Sequence, residues 1–141
     1  MATQTMTTEH DADKTRLPGL LLVDPDPKVR DALAKGMEVE GWHVWAAANG
    51  EAAVEVYNQY RDRIDVALVD LQFPGLQGGR LLAELGQLDP ALTRCGMSGD
   101  VSAYTASAFR RISGTPLFTK PLDTHTLTFA LREMMAVAEH K

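Results

Sequence analysis

Apolar and polar positions alternate along this chain between short apolar runs and longer stretches of helical period. Gly19-Leu20-Leu21-Leu22-Val23 is continuous apolar sequence ending at Asp24, and Val66-Ala67-Leu68-Val69 is a second such run ending at Asp70. Runs of this length read as strands of a parallel sheet, buried on both faces. Trp42-His43-Val44-Trp45-Ala46-Ala47 is more amphipathic and reads as a strand nearer the sheet edge, with its two tryptophans packing on opposite sides. Leu92 to Met97 and Pro116 to Thr119 complete the set, the first ending at Ser98-Gly99-Asp100 and the second at Lys120-Pro121.

Helical spacing fills the intervals. Val29, Leu33 and Met37 repeat after Asp26-Pro27, where Asp26 suits the N-cap and Pro27 the first helical position, and Gly41 ends the helix. Ala53, Val56, Tyr57 and Tyr60 share a face after the cap signal Asn49-Gly50. Leu81, Leu82 and Leu85 mark a third, short helix, entered through the turn Pro74-Gly75 and the flexible pair Gly78-Gly79. Val101 to about Ile112 reads as a fourth, rich in Ser and Thr. A fifth starts at Asp123 and carries Leu127, Ala130, Leu131, Met134 and Met135 on one stripe, the methionines serving core or interface.

Strands alternating with helices predict an α/β fold: a doubly wound five-stranded parallel sheet with helices on both faces. Right-handed crossovers favour the flavodoxin-like strand order 2-1-3-4-5. That order brings the carboxyl ends of the first, third, fourth and fifth strands side by side. Asp24, Asp70, Ser98 and Lys120 then share one crevice, at the sheet edge where open α/β sheets bind ligands.

Composition narrows the setting. The 141 residues suffice for one domain with one core, and 45% hydrophobic content favours folding. Residues 1–17 lack periodicity and are expected to form a disordered leader, with residues 18–141 the single folded domain. The net charge of −5 argues against a nucleic-acid surface. One cysteine, Cys95, excludes an internal disulfide and reads as a small buried hydrophobe. No apolar stretch reaches membrane-spanning length and no signal-peptide core opens the chain, so a cytoplasmic protein is expected. His10 stands alone and is not read as a ligand, and His43 is read as a surface residue rather than a catalyst.

Clustered carboxylates repel unless a cation joins them. Oxygen-only ligands favour a hard ion such as Mg²⁺, which keeps waters and shares its shell with phosphate. A lysine binds phosphate as a point charge, and a serine hydroxyl donates to a phosphoryl oxygen. An aspartate can itself accept a phosphoryl group and become an acyl phosphate. The crevice therefore has the residue types of a phosphoryl-accepting site, with no residue assigned to an organic cofactor.

From about Leu17 to Val137 the chain resembles the receiver domains of two-component response regulators. The resemblance rests on Val23-Asp24-Pro25-Asp26-Pro27-Lys28-Val29-Arg30, Ala48-Asn49-Gly50-Glu51, Leu68-Val69-Asp70 with Phe73-Pro74-Gly75 and Gly78, Ser98-Gly99, and Lys120-Pro121, a pair usually joined by a cis bond in that family. It implies that Asp70 accepts a phosphoryl group from a phosphohistidine on a sensor histidine kinase or histidine phosphotransfer protein. It further implies that Asp24, Asp70 and the backbone carbonyl of Gln72 hold Mg²⁺, that the Gln72 side chain lies near the phosphate, that Ser98 moves toward the phosphoryl group, and that Lys120 binds it. Output through protein contacts is expected on the face of the fourth and fifth helices and the fifth strand, from a monomer or weak dimer.

Two positions depart from the family pattern. The second acid of the first loop, usually a direct metal ligand, is Pro25, and Asp26 is either a substitute ligand or an N-cap, the cap being the expectation. The usual aromatic switch position holds Leu117, with Phe118 next to it. Alongside a phosphorylatable single-domain regulator stand two alternatives. One is a pseudo-receiver acting as a phosphorylation-independent protein-binding module. The other is a small-molecule phosphatase, disfavoured because Gln72 stands where its second acid would be. A DNA-binding regulator is disfavoured because the sequence shows no output domain.

Overall fold

The computed structural model describes residues 16–71, 77–99 and 115–139 of the chain. Its elements are β1 (Gly19–Val23), α1 (Pro27–Val39), β2 (His43–Ala47), α2 (Gly50–Tyr60) with a short 3-10 turn at Arg61–Arg63, β3 (Val66–Asp70), α3 (Gln77–Leu88), β4 (Thr93–Ser98), β5 (Leu117–Thr119) and α4 (Thr124–Glu139). The five strands form one parallel sheet in the order β2-β1-β3-β4-β5, as the alternating pattern predicts. The expected leader before Arg16, the Pro74-Gly75 turn and the helix expected at Val101 to Ile112 lie outside the described residues.

Strand alternation builds two cores from one sheet. Leu20, Leu22, Val66, Leu68, Cys95 and Met97 face one side, against Leu33 and Met37 of α1 and Leu127 and Leu131 of α4. Leu21, Val23, Ala67 and Val69 face the other, against Ala53 and Tyr57 of α2 and Leu81, Leu82 and Leu85 of α3. Every residue of β1 and β3 is buried, which is why their sequences are continuously apolar rather than alternating. Each fully buried leucine contributes about 1.5–3 kcal/mol. The tryptophans pack on opposite sides: Trp42, just before β2, is buried in the first core and Trp45 packs against the second.

Several boundaries and one packing assignment differ from the sequence reading. β2 starts at His43 rather than Trp42, β4 runs from Thr93 to Ser98, and β5 starts at Leu117. Val29 has the right helical spacing but is exposed, because the stripe that α1 buries narrows to Leu33 and Met37. Gly78 and Gly79 belong to the first turn of α3 rather than to the preceding loop. The Met134 and Met135 pair is partly buried against the α1/α4-side core.

Polar contacts tie down the chain before β1 and link α2 to the turn before β4. The Arg16 guanidinium pairs with Asp65 at 3.0 Å, and Asp65 also accepts from the Gly19 amide at 2.8 Å. Gly19 must lack a side chain, since an added Cβ would overlap the Arg63 carbonyl oxygen. The buried Tyr57 hydroxyl donates to Asp89 at 2.7 Å, linking α2 to the turn before β4. Burial, then this bond and the Asp89 charge, push the phenol's pKa well above its usual value. Among the described residues no helix is long and apolar enough to cross a membrane.

Candidate functional site

Residue pairing places the two acids side by side. β1 and β3 match Leu20 with Val66 and Leu22 with Leu68, and the next members of these rows are Asp24 and Asp70. Both lie at the carboxyl edge of the sheet. They are 0% and 3% exposed respectively, so neither carboxylate is stabilised by bulk water. An unpaired buried carboxylate is costly, and two adjacent ones are costlier.

Lys120 supplies the compensating charge. Its backbone N–H donates to the Ser98 carbonyl at 2.9 Å, fixing the end of β5 against the end of β4. The side chain then reaches across β4 to donate to Asp24 Oδ2 at 2.8 Å and Asp70 Oδ2 at 3.1 Å. Desolvation is the largest single influence on this ammonium and pulls its pKa down. The hydrogen bonds and charges of the two aspartates together outweigh that and hold it above the ordinary lysine value. Lys120 is therefore charged throughout the neutral range. Ser98, at the end of β4, is also buried. The structure thus gathers Asp24, Asp70, Ser98 and Lys120 at one edge, and the Lys120-Pro121 peptide bond is cis.

Asp24 is held on all of its polar groups. Its amide donates to Ala47 O at 3.1 Å, its carbonyl accepts from Arg30 at 2.8 Å, Oδ1 accepts from the Asp26 amide at 2.9 Å, and Oδ2 takes Lys120. Asp26 behaves as the cap that Pro27 at N1 predicts: its side chain accepts from the Lys28 amide at 2.9 Å and the Val29 amide at 3.5 Å. Its carboxylate therefore serves the helix and its amide serves Asp24. Gly78 lets α3 approach the end of β3 closely, because a Cβ there would stand 2.8 Å from the Asp70 carbonyl oxygen. Gly79 has open space around it.

Gln72 and Asp100 lie outside the described residues. Leu117 is half-buried, and its neighbour Phe118 packs into the core shared by α1 and α4. Cys95 is fully buried, as expected, and desolvation pushes its thiol far above the usual range, so it stays a thiol. His43 stacks on Trp45 with ring centroids 4.0 Å apart, on the edge strand and away from the acids. The contact that sequence reasoning missed is the one from Arg30. Its only signal is a cation in the first turn of α1, where the helix dipole disfavours it.

Oxygen-only donors, two buried carboxylates and an adjacent lysine fit a small hard cation that takes few protein ligands and keeps its waters, as Mg²⁺ does. Among the described residues no third His, Cys, Asp or Glu joins them, since the Pro25 side chain offers no oxygen and Asp26 caps the helix.

Known proteins resemble this chain in sequence and in fold. The family profile described as response regulator receiver domain matches residues 20–132. The transcriptional regulatory protein GlrR of Escherichia coli is 28% identical over 116 residues, which are 82% of this chain and 26% of that protein. The heme response regulator HssR of Staphylococcus aureus is 28% identical over 116 residues, 82% of this chain and 50% of that one. The chain thus spans about a quarter to a half of the length of these two relatives. A CheY-like response regulator receiver domain protein from Methanospirillum hungatei superposes with a TM-score of 0.75 at 25% identity, covering 88% of this chain and 98% of that one. A receiver domain from Clostridium thermocellum shares the fold with a TM-score of 0.78 at 19% identity, covering 87% and 98%. With the profile spanning most of its length and the acid pair and lysine at the predicted strand ends, the chain belongs to the response regulator receiver domain family.

Proposed function

We propose that the protein is a phosphoacceptor of a two-component relay, with Asp70 as the residue that takes the phosphoryl group. The observation that carries this reading is the Lys120 ammonium bonded to both Asp24 and Asp70. A carboxylate can attack phosphorus only where positive charge offsets the repulsion between two anions. Asp70 stands at the end of the central strand with that charge 3.1 Å away. Bound Mg²⁺ would supply further positive charge beside Asp70. Asp24, Asp70 and the Gln72 backbone carbonyl are the proposed ligands.

In the transfer, an Asp70 carboxylate oxygen forms a bond to phosphorus while the bond from phosphorus to the donor imidazole breaks. The electron pair leaves with the imidazole. Lys120 releases one or both aspartates to pair with the incoming phosphoryl oxygens, and the Ser98 hydroxyl donates to another. The new anion at the ends of β3, β4 and β5 biases the surface around β5 and α4, and output proceeds through protein contacts there. The donor is a sensor histidine kinase or a histidine phosphotransfer protein, the setting cytoplasmic, and the only catalysis the protein's own phosphotransfer and hydrolysis.

Intact mass after incubation with acetyl phosphate and Mg²⁺ tests the proposal. One phosphoryl adduct on the wild type and none on Asp70→Asn is the expected result. No adduct on the wild type would mean that the fold serves as a phosphorylation-independent binding module.

A further inference from the structure

The two edges of the sheet are guarded unequally. β5 is three residues long and runs straight into Lys120-Pro121, so it offers another chain little to pair with. β2 pairs with β1 residue for residue along its whole length, and among the described residues no strand lies on its outer side. Its sequence, His43-Val44-Trp45-Ala46-Ala47, contains no Lys, Arg, Asp, Glu or Pro. A regular, uncharged edge strand is a template for a further strand.

The groups that face outward can be assigned. The His43 amide donates to Pro18 O at 2.9 Å, and Ala47 O accepts from the Asp24 amide at 3.1 Å, so both residues turn their main-chain groups toward β1. Trp45 between them does the same, because bonding in a parallel ladder alternates along each strand. Val44 and Ala46 therefore aim their N–H and C=O groups away from the sheet. Among the described residues neither is bonded on that side. This spacing is self-complementary. An antiparallel second copy sets Val44 opposite Ala46 of the partner subunit and Ala46 opposite Val44 of the partner subunit, each pair exchanging both bonds. The two-fold axis then passes between the two Trp45 residues, which meet as an aromatic cross-strand pair on the α2 face.

The helices beside β2 have charges that suit this symmetry. Both α1 and α2 pack on β2. A two-fold axis normal to the sheet brings each helix antiparallel to its own copy. One flank of α1 faces α4, since a Cβ on Gly36 would stand 2.6 Å from Thr124 Cγ2 and Glu40 meets His125 at 3.2 Å. The opposite flank, over the β2 edge, carries Arg30, Ala34 and Glu38 at i, i+4 and i+8. A small residue stands at its centre, a cation toward one end and an acid toward the other. Antiparallel apposition sets Arg30 beside Glu38 of the partner subunit, and the reverse. On the other face α2 has Glu51 in its first turn and Arg61 and Arg63 just beyond its last, so its ends also meet opposite charges. We propose that the protein forms a two-fold symmetric homodimer through the outer edge of β2, joining two sheets into one. The β5 edge stays free, and the proposal does not depend on the phosphoacceptor reading.

Sedimentation equilibrium of the full, unphosphorylated chain from about 1 μM to about 1 mM tests this. The wild type should show a reversible monomer–dimer equilibrium within that range. Ala46→Pro removes an outward N–H from each copy and should weaken association about tenfold or more. Ala46→Lys keeps the N–H, sets a charge on the exposed edge position, and should weaken it as much. Glu38→Arg places two cations together and should weaken it about threefold or more. Thr119→Lys, at the exposed end of β5, should leave it unchanged. In the wild type, amide hydrogen exchange at Val44 and Ala46 should slow as concentration rises, a readout that needs no variant to fold. A wild type monomeric throughout would overturn the proposal. So would association unchanged in Ala46→Lys or Glu38→Arg, a loss in Thr119→Lys as large as in Ala46→Lys, or exchange at Val44 and Ala46 independent of concentration.

Discussion

The ends of β1 and β5 contribute the opposite charges of one ion-pair cluster, yet they are built differently. β1 is buried along its whole length, and the Asp24 that follows it is bonded at every polar group to β2, α1, the loop and Lys120. β5 has three residues, none of them fully buried, and it pairs with β4 alone. Lys120 is pinned through its backbone to Ser98, while its charge sits at the tip of a four-carbon stem. The acid is a fixture of the scaffold. The lysine can let go without disturbing the sheet. A site that exchanges an internal ion pair for a phosphoryl group needs that asymmetry.

Truncating one apolar residue on each strand probes the difference at its largest. Leu22→Ala empties space in a fully buried row and should cost about 2–5 kcal/mol, whereas Leu117→Ala, on half-buried β5, should cost about 1 kcal/mol. Urea unfolding of both variants measures this. Similar losses would show that β5 is as integral as β1.

Removing the shared cation comes next. Lys120→Met takes the shared cation from two buried carboxylates and should cost about 2 kcal/mol at neutral pH. The sign of its pH dependence follows from the raised ammonium pKa. A group with its folded pKa above its unfolded value contributes fully below the unfolded lysine value of about 10.4 and loses that contribution as pH rises through the folded value. The gap between wild type and variant should therefore not shrink through Lys120 titration between about pH 6 and 9, closing only in stronger alkali. Denaturant midpoints across that range supply the check.

A smaller effect belongs to the cap. Asp26→Ala should lower stability by about 1 kcal/mol, because the Lys28 and Val29 amides lose their acceptor. Mg²⁺ affinity should barely move in the same protein. If calorimetry instead shows Mg²⁺ binding abolished, Asp26 leaves the helix to act as a ligand. The smallest effect is expected from deleting residues 1–15 while keeping Arg16. The melting temperature should stay within a degree or two, since the Arg16 pair with Asp65 remains. A larger drop would mean that the preceding segment docks.

Much of this was legible in the sequence, for identifiable reasons. Burial on both faces writes itself as continuous apolar sequence, so β1 and β3 and the acids ending them could be read directly. The Asp26 cap was legible because Pro27 fits N1 and little else. Val29 was misread because helical spacing shows the direction of a stripe but not its width. Gly78 was placed in a loop, since glycine signals a turn more often than a helix start. The contact that Arg30 makes could not be read. Its partner is a main-chain carbonyl, and a backbone acceptor leaves no trace in the identity of the residue that carries it. The reach of Lys120 to both aspartates depends on a side-chain path across β4, which strand-end positions alone do not specify.

The central claim is that Asp70, and no other acid of the cluster, receives the phosphoryl group. Borohydride trapping tests it at the residue, since reduction of an aspartyl phosphate leaves homoserine, which peptide mass mapping locates. After labelling with acetyl phosphate and Mg²⁺, homoserine should appear at position 70 alone. Homoserine at Asp24 or Asp26, with position 70 unchanged, would contradict the account.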